Sequence, residues 1–179
     1  DRNSKDFFAE AYLEMLGSVD KGVDPKDIEA IYVGNFTNDF FVNQAHWSPI
    51  IADLLGLVPR PVTRTEGACA SSALSFREGV LAIASGLYDI VLVGGFEQMS
   101  KRTTEEVAEG LGMAASPYEV AAGFTFPGVF GTMATAYFAK YGADREALFN
   151  VTIKSHTNAP LNPKAQFPLT IRDFMNQRI

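Results

Sequence analysis

An alternation of strand and helix patterns over residues 62–95 constrains the fold more than any other feature of this chain. Residues 62–66 are short and β-branched, which favours a strand, and residues 67–72 all carry small side chains. Residues 73–85 favour a helix, and Gly86 follows where helices commonly end. Residues 88–95 form an apolar run that predicts a central strand buried on both faces. A strand, a helix and a strand in this order predict a parallel βαβ unit and an α/β fold.

The rest of the chain reads as mostly helical, with one further strand before the βαβ unit. The apolar spacing and the Gly and Pro positions predict helices at residues 5–19 and 45–55, a strand at 28–33, a polar-aromatic loop at 35–43, short helical pieces within 101–118, an apolar helix ending near Lys140, and a helix at 145–156 capped by Asp144.

Composition excludes several classes of protein. The net charge of −6, with few clusters of Lys or Arg, disfavours nucleic acid as a partner. The single cysteine, Cys69, excludes an intrachain disulfide, and with only two histidines far away in sequence we expect no metal site. No apolar stretch approaches the length of a membrane span, so no membrane partner is expected.

The two ends of the sequence suggest a trimmed chain. It opens on Asp1 without a signal-peptide pattern, which favours a cytoplasmic location, and its last residues read as structured chain that stops abruptly. We therefore expect a fold that is incomplete at both ends.

Cys69 is the best candidate for chemistry, because it lies where the strand at 62–66 gives way to a helix. The N–H groups and dipole of a helix start favour negative charge, so a thiolate there would be a better nucleophile. A buried structural cysteine is the alternative reading. His46 and His156 are weaker candidates, since neither can be placed near Cys69. Glu97 could act as a base, but holding loop amides at the strand end is the better interpretation.

Two further features leave alternatives open. Gly94 and Gly95 follow a strand but lack the G-x-G-x-x-G spacing, so a dinucleotide site is not expected. The aromatic residues of 124–130 could line an acyl pocket or could pack under a long loop.

Two blocks of sequence, taken together, resemble the thiolase family. Residues 66–74 (E-G-A-C-A-S-S-A-L) resemble the block around the thiolase nucleophile, and residues 94–100 (G-G-F-E-Q-M-S) resemble the block that follows one βαβ step later. Residues 158–167 resemble a third block of the sterol-carrier-type and archaeal-like thiolases. The resemblance covers nearly the whole chain, but only the N-terminal half of a thiolase.

The resemblance implies a role for individual residues. Cys69 would take an acyl group from coenzyme A, and its backbone N–H would form part of an oxyanion hole. The surrounding residues Gly67, Ala68, Ala70, Ser71 and Glu97 would support the nucleophile loop.

A second set of implied residues concerns the substrate. Gly128, Phe130 and Met133 match a segment near the acyl pocket, with Phe130 best placed to touch substrate. Residues 43–44 match a segment near a dimer interface. His156 matches no catalytic histidine of the family.

The resemblance also implies an architecture. We expect a layered α/β/α arrangement with a mixed, mostly parallel sheet and a buried central helix after Cys69. Residues 1–100 would form the core, and residues 101–179 a helical loop region on the substrate-pocket side.

In thiolases the acyl-enzyme then undergoes Claisen condensation with a second acyl-CoA, or forms by thiolysis of a 3-ketoacyl-CoA, which places the family in lipid metabolism. The activating histidine and the second cysteine lie in the C-terminal half, so we expect this chain alone to be acylated slowly at best and not to turn over. Coenzyme A thioesters would be the substrates, with no cofactor, and a homodimer, a higher homo-oligomer or a partner chain carrying the missing half is expected.

Two other functions remain open on the same scaffold. One is a condensing synthase or a thiolase-like aldolase, although retention of Cys69 favours acyl transfer. The other is a non-catalytic scaffold subunit that pairs with a separate chain.

Overall fold

The computed structural model describes residues 2–142 and 146–165, which fall into two compact units within Asp1–Phe126 and Pro127–Ile179. The first unit contains the helices α1 (Ser4–Ser18), α2 (Asn38–Val42), α3 (Trp47–Leu54), α4 (Ser71–Ala84), α5 (Thr104–Gly112) and α6 (Pro117–Ala121), and the strands β1 (Ala30–Gly34), β2 (Val62–Thr65) and β3 (Val91–Gly95).

The helix α7 (Phe126–Tyr141) belongs almost entirely to the second unit, which also holds α8 (Glu146–Asn158). Asp144, predicted to cap α8, lies outside the described residues. The functional division into residues 1–100 and 101–179 remains a prediction.

The three strands of the first unit form a parallel sheet in the order β2-β1-β3. Ile31 of β1 pairs with Val62 on one side and Leu92 on the other. The predicted α/β fold and the parallel direction of the two strands around α4 are confirmed, but β2 and β3 do not pair with each other, because β1 lies between them. The central position predicted for the 88–95 strand is wrong within the described sheet, where β1 lies in the middle. Because β1 is paired on both sides and covered on both faces, four of its five residues are buried, whereas no residue of β3 is.

One face of the sheet packs against α1 and α3. Phe8 and Tyr12 from α1, Ile31 and Val33 from β1 and Ile51 from α3 are buried in one hydrophobic cluster. The spacing of Phe8 and Tyr12, one helical turn apart, is the amphipathic pattern that the sequence predicts for this helix.

The other face of the sheet packs against α4, which completes an α/β/α layering in the first unit. A Cβ added at Gly79 of α4 would lie 2.7 Å from Cγ2 of Val93, so the helix rests closely on β3. The predicted all-round burial of this helix is wrong within the described residues. Gly79 and Ala82 are buried, but Ala73 and Ala84 are exposed, because α4 has the sheet on only one side.

The predicted loop at 35–43 contains the short helix α2 instead. Asn38, its first residue, is fully buried and donates from Nδ2 to Oγ of Ser4 at 3.0 Å, while its Oδ1 accepts from the backbone N–H of Gln98 at 3.0 Å. Long-range side-chain bonds of this kind cannot be read from local pattern, so the polar residues there suggested a loop.

Within the described part of the chain, no helix combines the length and the apolar character that crossing a membrane requires.

Candidate active site

Cys69 lies on a single 3₁₀ turn, Ala68–Ala70, between β2 and α4. Its side chain is exposed, and α4 begins two residues later, at Ser71. Ala70 is the N-cap residue of α4. Its methyl side chain cannot accept a hydrogen bond, so the N-cap side chain leaves the N–H groups of the first turn uncapped. The predicted placement of Cys69 at a helix start is therefore observed, beside backbone N–H groups that favour negative charge.

Ser71 holds this turn together. Its Oγ accepts from the backbone N–H of Gly67 at 3.1 Å and donates to the carbonyl oxygen of Ala68 at 2.6 Å. Its own carbonyl oxygen accepts from Oγ1 of Thr65 at 2.9 Å. Ser71 is buried, so this short set of bonds ties the end of β2 to the start of α4. Gly67, Ala68, Ala70 and Ser71 thus come together around Cys69, as their sequence proximity predicts.

Small side chains are required at this turn for steric reasons. Ala68 adopts a left-handed conformation with φ of 47°, which bulky side chains disfavour. A Cβ at Gly67 would lie 2.4 Å from Cδ1 of Leu74. The run of small residues is therefore explained by a tight turn that packs against its own helix.

A cleft of about 310 Å³, here called the Cys69 cleft, opens beside the sulfur. Its lining includes Ala68 and Cys69 from the turn, Ser71 and Ser72 from α4, residues 34–36 at the end of β1, and residues 95–97 at the end of β3. It lies at the carboxyl ends of the parallel strands, where α/β sheets commonly bind ligands.

The sequence analysis considered Gly95 only as part of a dinucleotide site and did not predict that the glycines ending β1 and β3 lie against the start of α4. A Cβ at Gly34 would lie 2.5 Å from the backbone of Ser72, and a Cβ at Gly95 would lie 2.1 Å from Oγ of Ser72. Two strands ending in glycine at the same edge, next to a small-residue turn, would have been the signal for such a close approach.

Glu97 follows β3, is half-buried and lines the same cleft. Its Oε2 accepts from the backbone N–H groups of Phe36 at 2.9 Å and Thr37 at 3.3 Å. Burial raises the pKa of Glu97, and these amide bonds and nearby Arg64 oppose the rise. This geometry favours holding loop amides over acting as a base.

Arg64, on β2, was not singled out from the sequence. Its guanidinium donates to the carbonyl oxygens of Asn35 at 3.3 Å and Phe36 at 2.9 Å, and forms an ion pair with Asp39 at 2.6 Å. It therefore supports from the β2 side the same segment that Glu97 holds from the β3 side. A half-buried arginine in a short strand gives no local sign of these partners.

His46, the histidine of the first unit, does not line the Cys69 cleft. It precedes α3 in a left-handed conformation with φ of 64°. His156 lies on α8 in the second unit. Across the described residues, no group of three or more His, Cys, Asp or Glu side chains is arranged to hold a metal.

Gly128, Phe130 and Met133 lie on α7. Phe130 and Met133 are more than half exposed, at 55% and 58%. Their proposed contact with an acyl group stays a prediction.

Comparison with known proteins decides the family. The model of the thiolase N-terminal domain matches residues 1–175. The chain belongs to the thiolase family. Membership agrees with the resemblance of the blocks at 66–74 and 94–100, and with the α/β fold.

Three curated proteins are similar to this chain over nearly its full length. An acetyl-CoA acetyltransferase of Methanothermobacter thermautotrophicus is 40% identical over 98% of this chain and 46% of its own length. One from Methanocaldococcus jannaschii is 38% identical over 96% of this chain and 43% of its own length. The benzoylsuccinyl-CoA thiolase subunit BbsB of Thauera aromatica is 28% identical over 94% of this chain and 43% of its own length. The chain thus spans less than half the length of these relatives.

Proposed function

We propose that this chain carries the nucleophile of a thiolase-type acyltransferase, and that Cys69 is the residue acylated by a coenzyme A thioester. The observation that carries the proposal is the exposed sulfur beside a cleft at a helix start, where the first turn lacks a side-chain cap. Membership in the thiolase family and the names of the two archaeal relatives support acyl-CoA as the substrate class.

The first step follows from this arrangement. The Cys69 thiolate attacks the thioester carbonyl carbon, and the developing oxyanion accepts a hydrogen bond from the backbone N–H of Cys69. The carbon–sulfur bond to coenzyme A then breaks, which leaves an acyl group on Cys69 and releases coenzyme A as a thiolate. The cleft of about 310 Å³ is at the lower end of volumes typical for small-molecule sites.

The second step needs groups that the 179 residues do not supply. A second acyl-CoA loses an α-proton to a base, its carbanion attacks the acyl-enzyme carbonyl, and the Cys69 thiolate leaves as a 3-ketoacyl-CoA forms. The reverse reaction is thiolysis. The sequence contains one cysteine, and the histidine of the first unit, His46, is not among the residues that line the cleft. We therefore propose slow acylation and no turnover for this chain by itself, with a homodimer or a partner chain completing the site.

The apolar face of α4 gives a reason to keep the scaffold function as a second candidate. Phe76, Val80 and Ile83 are all exposed on it, and large apolar patches are commonly covered by a partner. A condensing synthase or aldolase on the same scaffold is less well supported, since the nucleophilic cysteine is retained.

The test is incubation of the purified chain with acetyl-CoA, followed by intact-mass and peptide mass spectrometry. We expect an acetyl adduct on the peptide containing Cys69, absent from Cys69→Ser. The variant Ser85→Ala removes a hydroxyl at the far end of α4, outside the lining of the cleft, so it is the control and should keep the adduct. Absence of the adduct from the wild-type chain, with or without added partner, would favour the scaffold, and steady thiolysis of acetoacetyl-CoA by the chain alone would refute the predicted lack of turnover.

A further inference from the structure

Glu97 joins the ends of two strands beside the Cys69 cleft. Its Oε2 accepts from the N–H groups of Phe36 and Thr37, just after β1, at 2.9 and 3.3 Å. Glu97 itself comes two residues after β3 ends. One carboxylate therefore spans the neighbouring strands β1 and β3 at their carboxyl ends.

The other oxygen of Glu97 completes the same junction. Oε1 lies 3.5 Å from Nδ2 of Asn35, and that amide also donates to the carbonyl oxygen of Phe96 at 2.7 Å. Asn35 is buried at 1% exposure, so its side chain is held in place. With both oxygens occupied, the carboxylate holds the segment at residues 35–37 rather than facing a substrate proton.

The segment held in this way and the nucleophile turn line one cleft. Asn35 and Phe36 contribute to the lining on one side, and Ala68 and Cys69 on another. Asn35 and Phe36 of this segment therefore border the space that a thioester must enter to reach the sulfur. Displacements of the order of 1 Å in such a site can cost about 100-fold in rate.

We propose that Glu97 is a positioning residue for acyl transfer, and that its reach to the amides of residues 36 and 37, rather than its charge, sets the width of the Cys69 cleft. This inference rests on the proposed function of Cys69. It assigns Glu97 no contact with substrate and no proton transfer.

Glu29 provides a matched control at the opposite end of the sheet. Its Oε2 accepts from the backbone N–H groups of Asp89 at 2.5 Å and Ile90 at 3.2 Å, just before β3. The chemistry is the same as at Glu97, one carboxylate oxygen on two consecutive amides, but Glu29 is absent from the lining of the Cys69 cleft. Shortening Glu29 thus tests the cost of losing such a bridge without touching the cleft.

The experiment compares Glu97→Gln, Glu97→Asp and Glu29→Asp in the full 179-residue chain. Gln keeps the length and an oxygen that can accept both N–H groups, and it gives up only the long 3.5 Å contact with Nδ2 of Asn35. Asp keeps the charge and is one methylene too short. Two rates are measured for each: acetylation of Cys69 by acetyl-CoA, and alkylation by iodoacetamide, a small probe that reports the sulfur itself. Melting curves show whether each variant is folded.

We expect Glu97→Asp to lower the acetylation rate by at least about tenfold while the alkylation rate stays near that of the wild type. Glu97→Gln and Glu29→Asp should retain both rates. The proposal is overturned if Asp retains acetylation, if Gln is as impaired as Asp, if acetylation and alkylation fall together, or if Glu29→Asp is equally impaired. If the wild-type chain gives no acetyl adduct at all, the proposed function fails first and this inference with it.

Discussion

The two faces of the sheet in the first unit pack against helices with the same kinds of apolar side chain, but these side chains are buried to very different degrees. Towards α1 and α3, Phe8, Tyr12 and Ile51 are exposed by 7% or less. On the α4 side, Phe76 is 64% exposed and Val80 is 49% exposed. The comparison shows that apolar composition alone does not say which surface is core, because that depends on how many elements cover it.

The difference has a geometric origin. Among the described residues of the first unit, two helices, α1 and α3, cover the first face, whereas α4 alone covers the second and leaves an apolar groove of about 610 Å³ against β3. Gly79, Val91 and Val93 form part of this groove. Substitutions on the two faces should therefore differ in cost even when the chemistry removed is similar.

The largest effect is expected for Ile51→Ala on the closed face. Ile51 has no exposed surface, and removing most of a buried isoleucine side chain costs about 2–5 kcal/mol because a cavity is left behind. Denaturant unfolding measures this loss. Leu54→Ala, in the same helix but at 36% exposure, is the control and should cost clearly less. If the two variants lost the same free energy of unfolding, Ile51 would not be more deeply buried than Leu54, and this face of the sheet would not be covered as described.

An intermediate effect is expected for Gly79→Ala, where α4 rests on the sheet. The added methyl would lie 2.7 Å from a methyl of Val93, and such overpacking costs about 1–3 kcal/mol. Gly17→Ala in α1 adds the same group with nothing within 4 Å, so it should be neutral or stabilising by up to about 1 kcal/mol. Opposite signs in thermal melts would support the close contact of α4 with β3, and a stabilised Gly79→Ala would argue against it.

The smallest effect is expected for Val80→Ser on the open face. Half-exposed surface positions of this kind change the free energy of unfolding by no more than about 0.5 kcal/mol. Unfolding should be measured at several protein concentrations. If Val80→Ser lost as much free energy of unfolding as Ile51→Ala, and the loss grew with protein concentration, a second molecule would cover this face in solution. The two faces of the sheet would then be equally buried.

The sequence predicted the local features well where neighbouring residues determine them. The small residues at 67–72, followed by helix formers, were enough to place Cys69 at the start of α4, and the βαβ order was enough for a parallel α/β sheet. Glu97 was correctly interpreted as a residue that holds loop amides, because it follows a strand end directly.

Features that depend on distant partners were not predicted. The order β2-β1-β3 is decided by strand pairing, which the similar apolar runs of β1 and β3 do not distinguish. The helix α2 depends on hydrogen bonds between Asn38 and residues at least 34 positions away, and the hydrogen bonds that Arg64 donates cross 28 or more positions. These are side-chain contacts made after the strands have come together.

The glycines that end β1 and β3 have a consequence for how the nucleophile is seated. Ser72, at the start of α4, packs directly against Gly34 and Gly95, which have no side chains. The distance between the nucleophile turn and the sheet is therefore set by rigid peptide planes and not by side chains that can change rotamer. The distance of the Cys69 sulfur from the sheet should then stay constant even when residues farther along α4 are substituted. Evolution could change the outer surface of α4 freely, but a single added carbon atom at Gly34 or Gly95 would push the nucleophile away from the sheet.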